Sequence, residues 1–418
     1  MKTARQISCI VIGLVFMFSG IVKAVDPLGS VYKFNDYLTA FNMGWLVSLS
    51  LPLALLLCLA EFIAGFAVIS GIRQKEGILG VTLLMLFFTP LTLYLAIYEP
   101  VSDCGCFGDA IHLTNWETFW KNVVLLIPTI IIFAGRKQIT PTSITNQWQR
   151  LLGVAVLFIM FCKSNLNYLP LIDFLPYKTG VSIVDQMTIP EGAETDQFLT
   201  TFICERNGEQ REFTIENYPY DDTTWVFVDQ KNVLLKKGYQ PPISNFAVTT
   251  FDGIDLTNQI LYNDGYTLLM IAKKLDEADS KKLHRGFETG RFVENAGIKF
   301  FILTSSSSDE VQKYTNGLQF CAVDETTLKT MMRANQGYIF INSGKIEGKW
   351  SAATMPKNEW FKDMAKPKGN FTGTLFAIFS IISGLVIVLL ILAKYFCCST
   401  ATSLSVKTEQ LHPKFHIS

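Results

Sequence analysis

Two cysteines separated by one glycine, Cys104-Gly105-Cys106, are the residues of this sequence best suited to carry out chemistry. A disulfide needs alpha carbons about 4.4–6.8 Å apart, which residues i and i+2 reach only in a tight turn. Gly105 favours such a turn because it lacks a Cβ and tolerates positive φ. The small ring is expected to be strained, and strained, exposed disulfides exchange readily. The spacing therefore predicts a labile redox pair.

Two other interpretations of this loop remain open. The cysteines could be two inert thiols, or a structural bond, in a turn shaped by Gly105 and Gly108. Asp109 and His112 could add metal ligands, but the spacing matches no common zinc pattern. No metal site is therefore predicted.

A second candidate for chemistry is Glu61, the one charge within the apolar run 47–71. An ionisable group at membrane depth is costly and normally faces the bundle interior with a partner. Lys23, near the outer end of the first apolar run, is one candidate partner, and a headgroup or quinone is another. Glu61 is predicted to be a proton or quinone site, with a protonated structural glutamate as the alternative.

The elements that position these residues are predicted to be membrane-spanning helices. Hydrophobic residues make up 49% of the chain and charged residues 17%, below the roughly 25% of soluble domains. The balance of 36 basic and 36 acidic residues provides no field for nucleic acid. A helix needs about 20 mostly apolar residues to cross the hydrocarbon core. The candidate spans are 7–22, read as uncleaved, 47–71, 77–98, 116–135 with Lys121 snorkelling, and 371–393.

A further run, 151–162, is short, but it could extend to Leu175 with a kink at Pro170, and it is predicted as a fifth span. Basic residues in short loops favour the cytoplasmic side. They place the amino terminus inside and the loops 24–46 and 99–117 outside. The cysteine pair would then lie in an oxidising compartment, on the same side as the region 176–368.

The remaining cysteines fall into three groups. Those in apolar runs are predicted to be buried hydrophobes, namely Cys9, Cys58 and Cys162. Cys397 and Cys398 follow the last span on the predicted inner side, where adjacent cysteines could be lipidated. Cys204 and Cys321 lie on the predicted outer side, where pairing is favoured, but the sequence does not assign their partners.

The chain after the fifth run is polar and changes its periodicity. A β-rich lead-in, with strands predicted at 198–206, 211–215 and 224–228, is followed by an opening strand at 245–251. The β-α-β-α-β-β-α order of this part resembles the thioredoxin-like fold, with an opening like that of peroxiredoxin and TlpA-type members. The family's Cys-x-x-Cys is missing from 272–279, and Gln336 stands where the family has a cis-proline. The resemblance therefore implies the fold and no catalytic residues.

The first part of the chain resembles the DoxX and MauE superfamily over about 135 residues. The resemblance is carried by Gly13, Phe18-Ser19-Gly20, Lys23-Ala24, Asp26-Pro27, Glu61 and Cys104-Gly105-Cys106-Phe107-Gly108-Asp109. It implies a four-helix membrane protein associated with redox processes. MauE-like members are linked to methylamine utilisation and to disulfide formation in a periplasmic dehydrogenase subunit, and DoxX-like members to quinone reduction.

The predicted fold class is an α-helical membrane bundle, with four spans, a fifth and a C-terminal sixth, joined to a soluble α/β thioredoxin-like domain. The predicted segments are a DoxX/MauE-like four-helix domain (1–137), a fifth span (148–175), a β-rich lead-in (176–240), a thioredoxin-like domain (241–368), a C-terminal transmembrane helix (371–395) and a cytoplasmic tail (396–418).

The predicted function is that of a bacterial inner-membrane redox protein with its soluble domain in the periplasm. Cys104 and Cys106 would act as the redox pair, with Glu61 and Lys23 in supporting roles. They would perform thiol–disulfide exchange or quinone-linked electron transfer that supports periplasmic protein maturation. The expected partners are the lipid bilayer and periplasmic thiol proteins, with quinone as the candidate cofactor. The alternative is a non-enzymatic assembly or scaffold protein with an inactive thioredoxin-like domain.

Overall fold

A computed structural model describes residues 2–101, 103–139, 145–194, 196–236, 238–314 and 317–362. The predicted C-terminal transmembrane helix, the tail, and Cys397 and Cys398 lie outside the described residues. The chain forms two compact units, one built mainly from residues 1–175 and the other from residues 176–349.

The first unit is helical. Five of its helical segments are long and apolar enough to cross a membrane, so the chain is a multi-pass membrane protein. The helices are α1 (Lys2–Val25), α2 (Pro27–Ala40), α3 (Ser50–Ser70, preceded by a 3-10 turn at Gly44–Leu49), α4 (Gln74–Tyr98), α5 (Asn115–Ala134, continued by a 3-10 turn at Gly135–Gln138) and α6 (Gln147–Asn167).

Close packing of α1 against α3 depends on glycines. A Cβ on Gly20 would lie 2.8 Å from the Phe62 backbone nitrogen, and one on Gly65 would lie 2.7 Å from the Gly13 carbonyl oxygen. Small residues let helix backbones approach closely in membranes, where packing rather than hydrophobic burial joins the helices. This approach brings the carboxy-terminal half of α1 against α3.

The region predicted as the loop 24–46 contains helix α2. The Asp26 carboxylate caps its first turn by accepting a hydrogen bond from the Gly29 backbone nitrogen at 3.0 Å. Pro27 occupies the first helical position, where its fixed φ suits a helix start. From the sequence this region was treated only as a connection between spans, and the helix within it was not predicted.

The predicted extension of the fifth span to Leu175 was wrong. Helix α6 ends at Asn167, and the following residues turn back because Asn165 accepts a hydrogen bond from the Leu171 backbone nitrogen at 3.1 Å. The same side chain donates to the Ala24 carbonyl at 3.0 Å, which ties α6 to α1. The 21 residues of α6 are long enough to cross a membrane without the extension.

The second unit contains two sheets. Its elements, with those that complete the chain to residue 362, are α7 (Ile183–Met187), β1 (Gln197–Arg206), β2 (Glu209–Thr214), β3 (Val226–Lys236), α8 (Thr257–Leu261), β4 (Tyr266–Ile271), α9 (Ser280–Asn295), β5 (Lys299–Thr304), α10 (Ser308–Gln312), β6 (Phe320–Ala322), α11 (Glu325–Met331), β7 (Gly337–Asn342), β8 (Lys345–Ser351) and α12 (Asn358–Lys362).

The first sheet is antiparallel, with order β2-β1-β3. The second has order β6-β5-β4-β7-β8, in which β4, β5 and β6 are parallel and β7 runs antiparallel to β4. Continuous apolar runs form β4 and β5, as expected for strands covered on both faces. This unit is therefore a sheet-rich α/β domain.

Two elements of the second unit differ from the sequence predictions. The predicted strand at 245–251 forms only isolated bridges, from Thr249 to Asp255 and to Ala322. Strand β3 continues to Lys236, well beyond the predicted end at 228. Its later residues pair with the amino-terminal half of β1, a long-range contact that local periodicity does not reveal.

Candidate functional site

The cysteine pair lies in the connection between α4 and α5. Gly105 and Gly108 both have positive φ, of 63° and 53°, and the Gly108 backbone nitrogen donates to the Gly105 carbonyl at 3.0 Å. This turn places the Sγ atoms of Cys104 and Cys106 2.9 Å apart, and both are free thiols. The glycines therefore hold the sulfurs in contact, in the turn that the spacing predicted.

Helix α2 holds the loop from one side. The Tyr37 hydroxyl donates to the Cys104 carbonyl at 2.8 Å. One helical turn earlier, Lys33 forms an ion pair with Asp103, also at 2.8 Å. Burial and the neighbouring Cys104 raise the pKa of Tyr37, so this phenol remains a neutral donor. These two contacts fix the backbone immediately before and at the first cysteine.

Helices α1 and α3 contact the loop next to a buried ion pair. Lys23 Nζ lies 2.7 Å from Glu61 Oε2 and 2.9 Å from Glu61 Oε1. The Ser19 hydroxyl accepts from Lys23 at 2.8 Å and lies 2.8 Å from both Glu61 Oε2 and the Cys106 carbonyl oxygen. Ser19, Lys23 and Glu61 are all buried. One hydroxyl thus connects the ion pair to the cysteine loop.

The two thiols have opposite electrostatic environments. The hydrogen bond from the Cys104 thiol lowers the pKa of Cys106 to about 6, and the Lys121 ammonium adds to this effect. The same hydrogen bond, together with burial, raises the pKa of Cys104 well above its usual range. At neutral pH the negative charge therefore resides on Cys106, and Cys104 keeps its proton. Lys121 Nζ lies 4.4 Å from the centre of the Phe107 ring, over its face.

A cavity of about 400 Å³ opens beside the pair, a volume within the range of small-molecule sites. Most of its lining is apolar and comes from α1 to α5. Its polar and reactive lining includes Ser19, Lys23, Lys33, Tyr37, Glu61, Cys104, Cys106, Lys121 and Asn122. The cavity therefore offers an apolar ligand access to the sulfurs and to three lysine side chains.

The structure brings all four predicted site residues together, since Cys104, Cys106, Glu61 and Lys23 line this one cavity. Asp109 and His112 are not part of any metal-ligating cluster within the described residues. The chemical roles of the two cysteines, Glu61 and Lys23 remain predictions.

The predicted pairing of outer-side cysteines does not extend to the second unit. Cys204 and Cys321 are buried, free thiols. Cys204 lies in β1 of one sheet and Cys321 in β6 of the other. Burial raises the pKa of Cys321 to about 12, which makes it unreactive at neutral pH.

Sequence reasoning missed Ser19, Lys33 and Tyr37 as parts of the site, and it treated Lys121 only as an interfacial lysine. A signal existed for Ser19, which lies one helical turn before Lys23 on the same face of α1. Lys33 and Tyr37 have the same four-residue spacing. This spacing is informative only within a helix, and no helix was predicted there from the sequence.

The fold and the site define a multi-pass membrane protein with a cysteine pair beside a largely apolar cavity and a buried ion pair. Residues 1–135 match the family model described as "Methylamine utilisation protein MauE", so this part of the chain is MauE-like. Residues 198–237 match a second model, described as a domain of unknown function (DUF8463). Searches of curated proteins and of solved structures found no match.

Proposed function

We propose that this protein is a membrane thiol–disulfide oxidoreductase that uses Cys104 and Cys106, in the context of methylamine utilisation that its MauE-like part suggests. The observation that carries the proposal is the pair itself. Its sulfurs lie 2.9 Å apart, and the pKa of Cys106 falls to about 6. A thiolate is the attacking species in exchange, and a neighbouring thiol is needed to complete it.

The exchange proceeds in two balanced steps. The Cys106 thiolate attacks one sulfur of a partner disulfide, which forms a mixed disulfide and releases one partner thiolate. Cys104 then loses its proton and attacks Cys106 Sγ, forming the Cys104–Cys106 bond and releasing the second partner thiolate. Two electrons pass to the partner. In the reverse direction the oxidised pair accepts two electrons from two partner thiols, which installs a disulfide in the partner.

Quinone-linked electron transfer is the second candidate, and the apolar cavity beside the sulfurs favours it. The reduced pair would pass two electrons to a quinone as the Cys104–Cys106 bond forms. The quinone would take up the Cys104 proton and one proton from water and leave as the hydroquinone. Lys121 lies where its charge would stabilise an anion at the same end of the cavity. The two candidates are compatible, because a quinone would reoxidise a pair that had oxidised a partner protein.

In this proposal the protein lies in a bacterial inner membrane, with the cysteine loop and the second unit on the periplasmic side. The second unit would have a thioredoxin-like fold and bind the partner protein. Labelling single introduced cysteines between residues 176 and 349 in intact cells tests the placement. Protection of these sites would separate the second unit from the cysteine loop and count against the proposal.

Trapping of mixed disulfides tests the proposed exchange. In a Cys104→Ser variant, Cys106 can attack a partner but cannot be resolved, so disulfide-linked adducts should accumulate. The matched Cys106→Ser variant leaves only the protonated thiol of Cys104 and should give far fewer adducts. Equal or absent adducts in both variants would contradict exchange through Cys106.

The alternative, a scaffold protein, is favoured by one feature of the second unit. Residues 272–279, after β4, contain no cysteine, and Cys321 is buried. Alkylation followed by mass measurement in intact cells separates the two functions. A pair whose oxidation state changes with growth conditions supports exchange, whereas an invariant state supports the scaffold.

A further inference from the structure

We infer that Ser19 is a positioning residue that ties the backbone of Cys106 to the Lys23–Glu61 ion pair. The inference rests on the proposed function of the cysteine pair and assigns to its site a residue beyond those that react. Its basis is the set of three hydrogen-bonding partners around one buried hydroxyl.

The hydroxyl of Ser19 has one proton and two acceptors for it. Glu61 Oε2 and the Cys106 carbonyl oxygen both lie 2.8 Å from Ser19 Oγ. Lys23 Nζ, also at 2.8 Å, donates to the same oxygen and so occupies one of its lone pairs. The proton can therefore bond fully to only one acceptor at a time. Whichever acceptor receives it determines whether the Cys106 carbonyl is held by α1.

Three threonines of the spanning helices direct their hydroxyl protons differently. Thr82, Thr92 and Thr129 each donate to the carbonyl four residues earlier in their own helix. That is the ordinary way for a hydroxyl to be satisfied within a helix. Ser19 instead contacts a side chain of α3 and the backbone of the cysteine loop. Ser19 is therefore placed to connect the ion pair to the cysteine loop.

The hydrogen bond from Ser19 affects the thiols because it acts on the backbone of Cys106. The Cys106 carbonyl belongs to the residue whose thiolate accepts the hydrogen bond from Cys104. A loop released from Ser19 would keep its contacts to α2, which act at Asp103 and Cys104, and the packing of Phe107 against α1 and α5. The Cys106 backbone would lose its hydrogen bond to α1, and the contact between the sulfurs would weaken. Ser19 thus helps to maintain the low pKa of Cys106.

The test compares Ser19→Ala with two matched variants in the full-length, reduced protein. The readouts are the alkylation rate of each cysteine and the pH midpoint of Cys106 alkylation by iodoacetamide, both followed by mass spectrometry. Ser19→Ala should raise the alkylation rate of Cys104 by about threefold to tenfold, the effect of one net hydrogen bond. It should also move the Cys106 midpoint upwards. Ser19→Thr, which keeps the hydroxyl, should restore the wild-type midpoint.

Thr129→Ala is the control for the loss of a buried hydroxyl, because Thr129 donates only within α5 and lies outside the cavity lining. It should leave both readouts unchanged. Identical alkylation rates and midpoints in Ser19→Ala and wild type would overturn the inference. A change of the same size in Thr129→Ala would also overturn it, since the effect would then be general loosening.

A double-mutant cycle provides a second measurement. Glu61→Gln should change the ratio of Cys104 to Cys106 alkylation in the wild-type background, and should change it much less when Ser19 is already alanine. Equal changes in both backgrounds would show that the ion pair acts on the thiols through space, against the inference. These readouts require no partner protein. A failure to trap partners would therefore contradict the proposed exchange without affecting the role of Ser19.

Discussion

The ammonium of Lys23 lies 2.7 Å from the carboxylate of Glu61, with both side chains buried between α1 and α3. An ion pair at membrane depth survives because each charge would be far more costly alone. The close approach of α1 and α3, permitted by Gly20 and Gly65, makes this distance possible. The pair is therefore a joint between two helices as well as a wall of the cavity.

Removal of one member of this ion pair should destabilise the protein strongly. Lys23→Met leaves the Glu61 carboxylate buried without its cation, and we expect a loss of about 3–5 kcal/mol in the free energy of unfolding. Denaturant unfolding in detergent measures the loss. The double variant Lys23→Met/Glu61→Met should recover much of it, because apolar residues replace both charges. Equal stability of the single variant and wild type would contradict a buried, charged pair.

The reactivity of Cys106 should depend on pH with a midpoint near 6, the value to which the hydrogen bond from Cys104 lowers its pKa. Only the thiolate is alkylated, so the rate should be at its plateau at neutral pH and fall as the pH drops through 6. An unperturbed cysteine would lose reactivity already below about 8.5. Alkylation rates measured from about pH 4.5 to about pH 9 give the profile, because this range includes both values.

Removal of the donor provides the control for this pH profile. Cys104→Ala abolishes the hydrogen bond and should move the midpoint upwards, whereas Cys104→Ser keeps a donor and should move it less. A midpoint that stays near 6 in Cys104→Ala would show that the contact between the sulfurs is not the cause.

The charge of Lys121 should contribute separately to this midpoint. Lys121→Met removes a cation that lowers the pKa of both thiols, so the midpoint of Cys106 alkylation should rise. Lys121→Arg keeps the charge and should leave the midpoint near that of wild type. A shift of equal size in both variants would point to lost packing against Phe107 rather than to charge.

Gly105→Ala should disturb the cysteine turn. The residue has a φ of +63°, and a Cβ there would lie 3.0 Å from Lys33 Cγ. The left-handed conformation alone costs an alanine roughly 1–2 kcal/mol. We therefore expect slower formation of the Cys104–Cys106 bond with diamide, by about tenfold. Gly153→Ala in α6 is the control, since a Cβ there meets nothing within 4 Å. An unchanged rate in Gly105→Ala would contradict the need for glycine.

The sequence predicted the membrane helices and the cysteine turn well, because long apolar runs and a glycine between two cysteines are local signals. It also put forward Lys23 as a partner for Glu61, and the two residues are in contact. It did not reveal α2, the end of α6 at Asn167 or the length of β3. Those features depend on the Asp26 cap, on the contact between Asn165 and Leu171, and on pairing with a distant strand.

Ser19 shows most clearly what could not be predicted from the sequence. Its partners come from α1, from α3 and from a loop 87 residues away. The four-residue spacing from Lys23 places Ser19 on the same face of α1, but it gives no indication of contacts with α3 or with a distant loop. The asymmetry of the two thiols was equally hidden, because it follows from the direction of one hydrogen bond and from the position of Lys121.

One proton is shared by the two sulfurs at neutral pH, since Cys104 keeps its own and Cys106 has lost its own. Oxidation of this pair to a disulfide would therefore release two electrons but a single proton. The midpoint potential of such a couple changes by about 30 mV per pH unit, half the slope of a couple that releases two protons. The protein would thus keep its oxidising strength more nearly constant when the acidity of its surroundings changes.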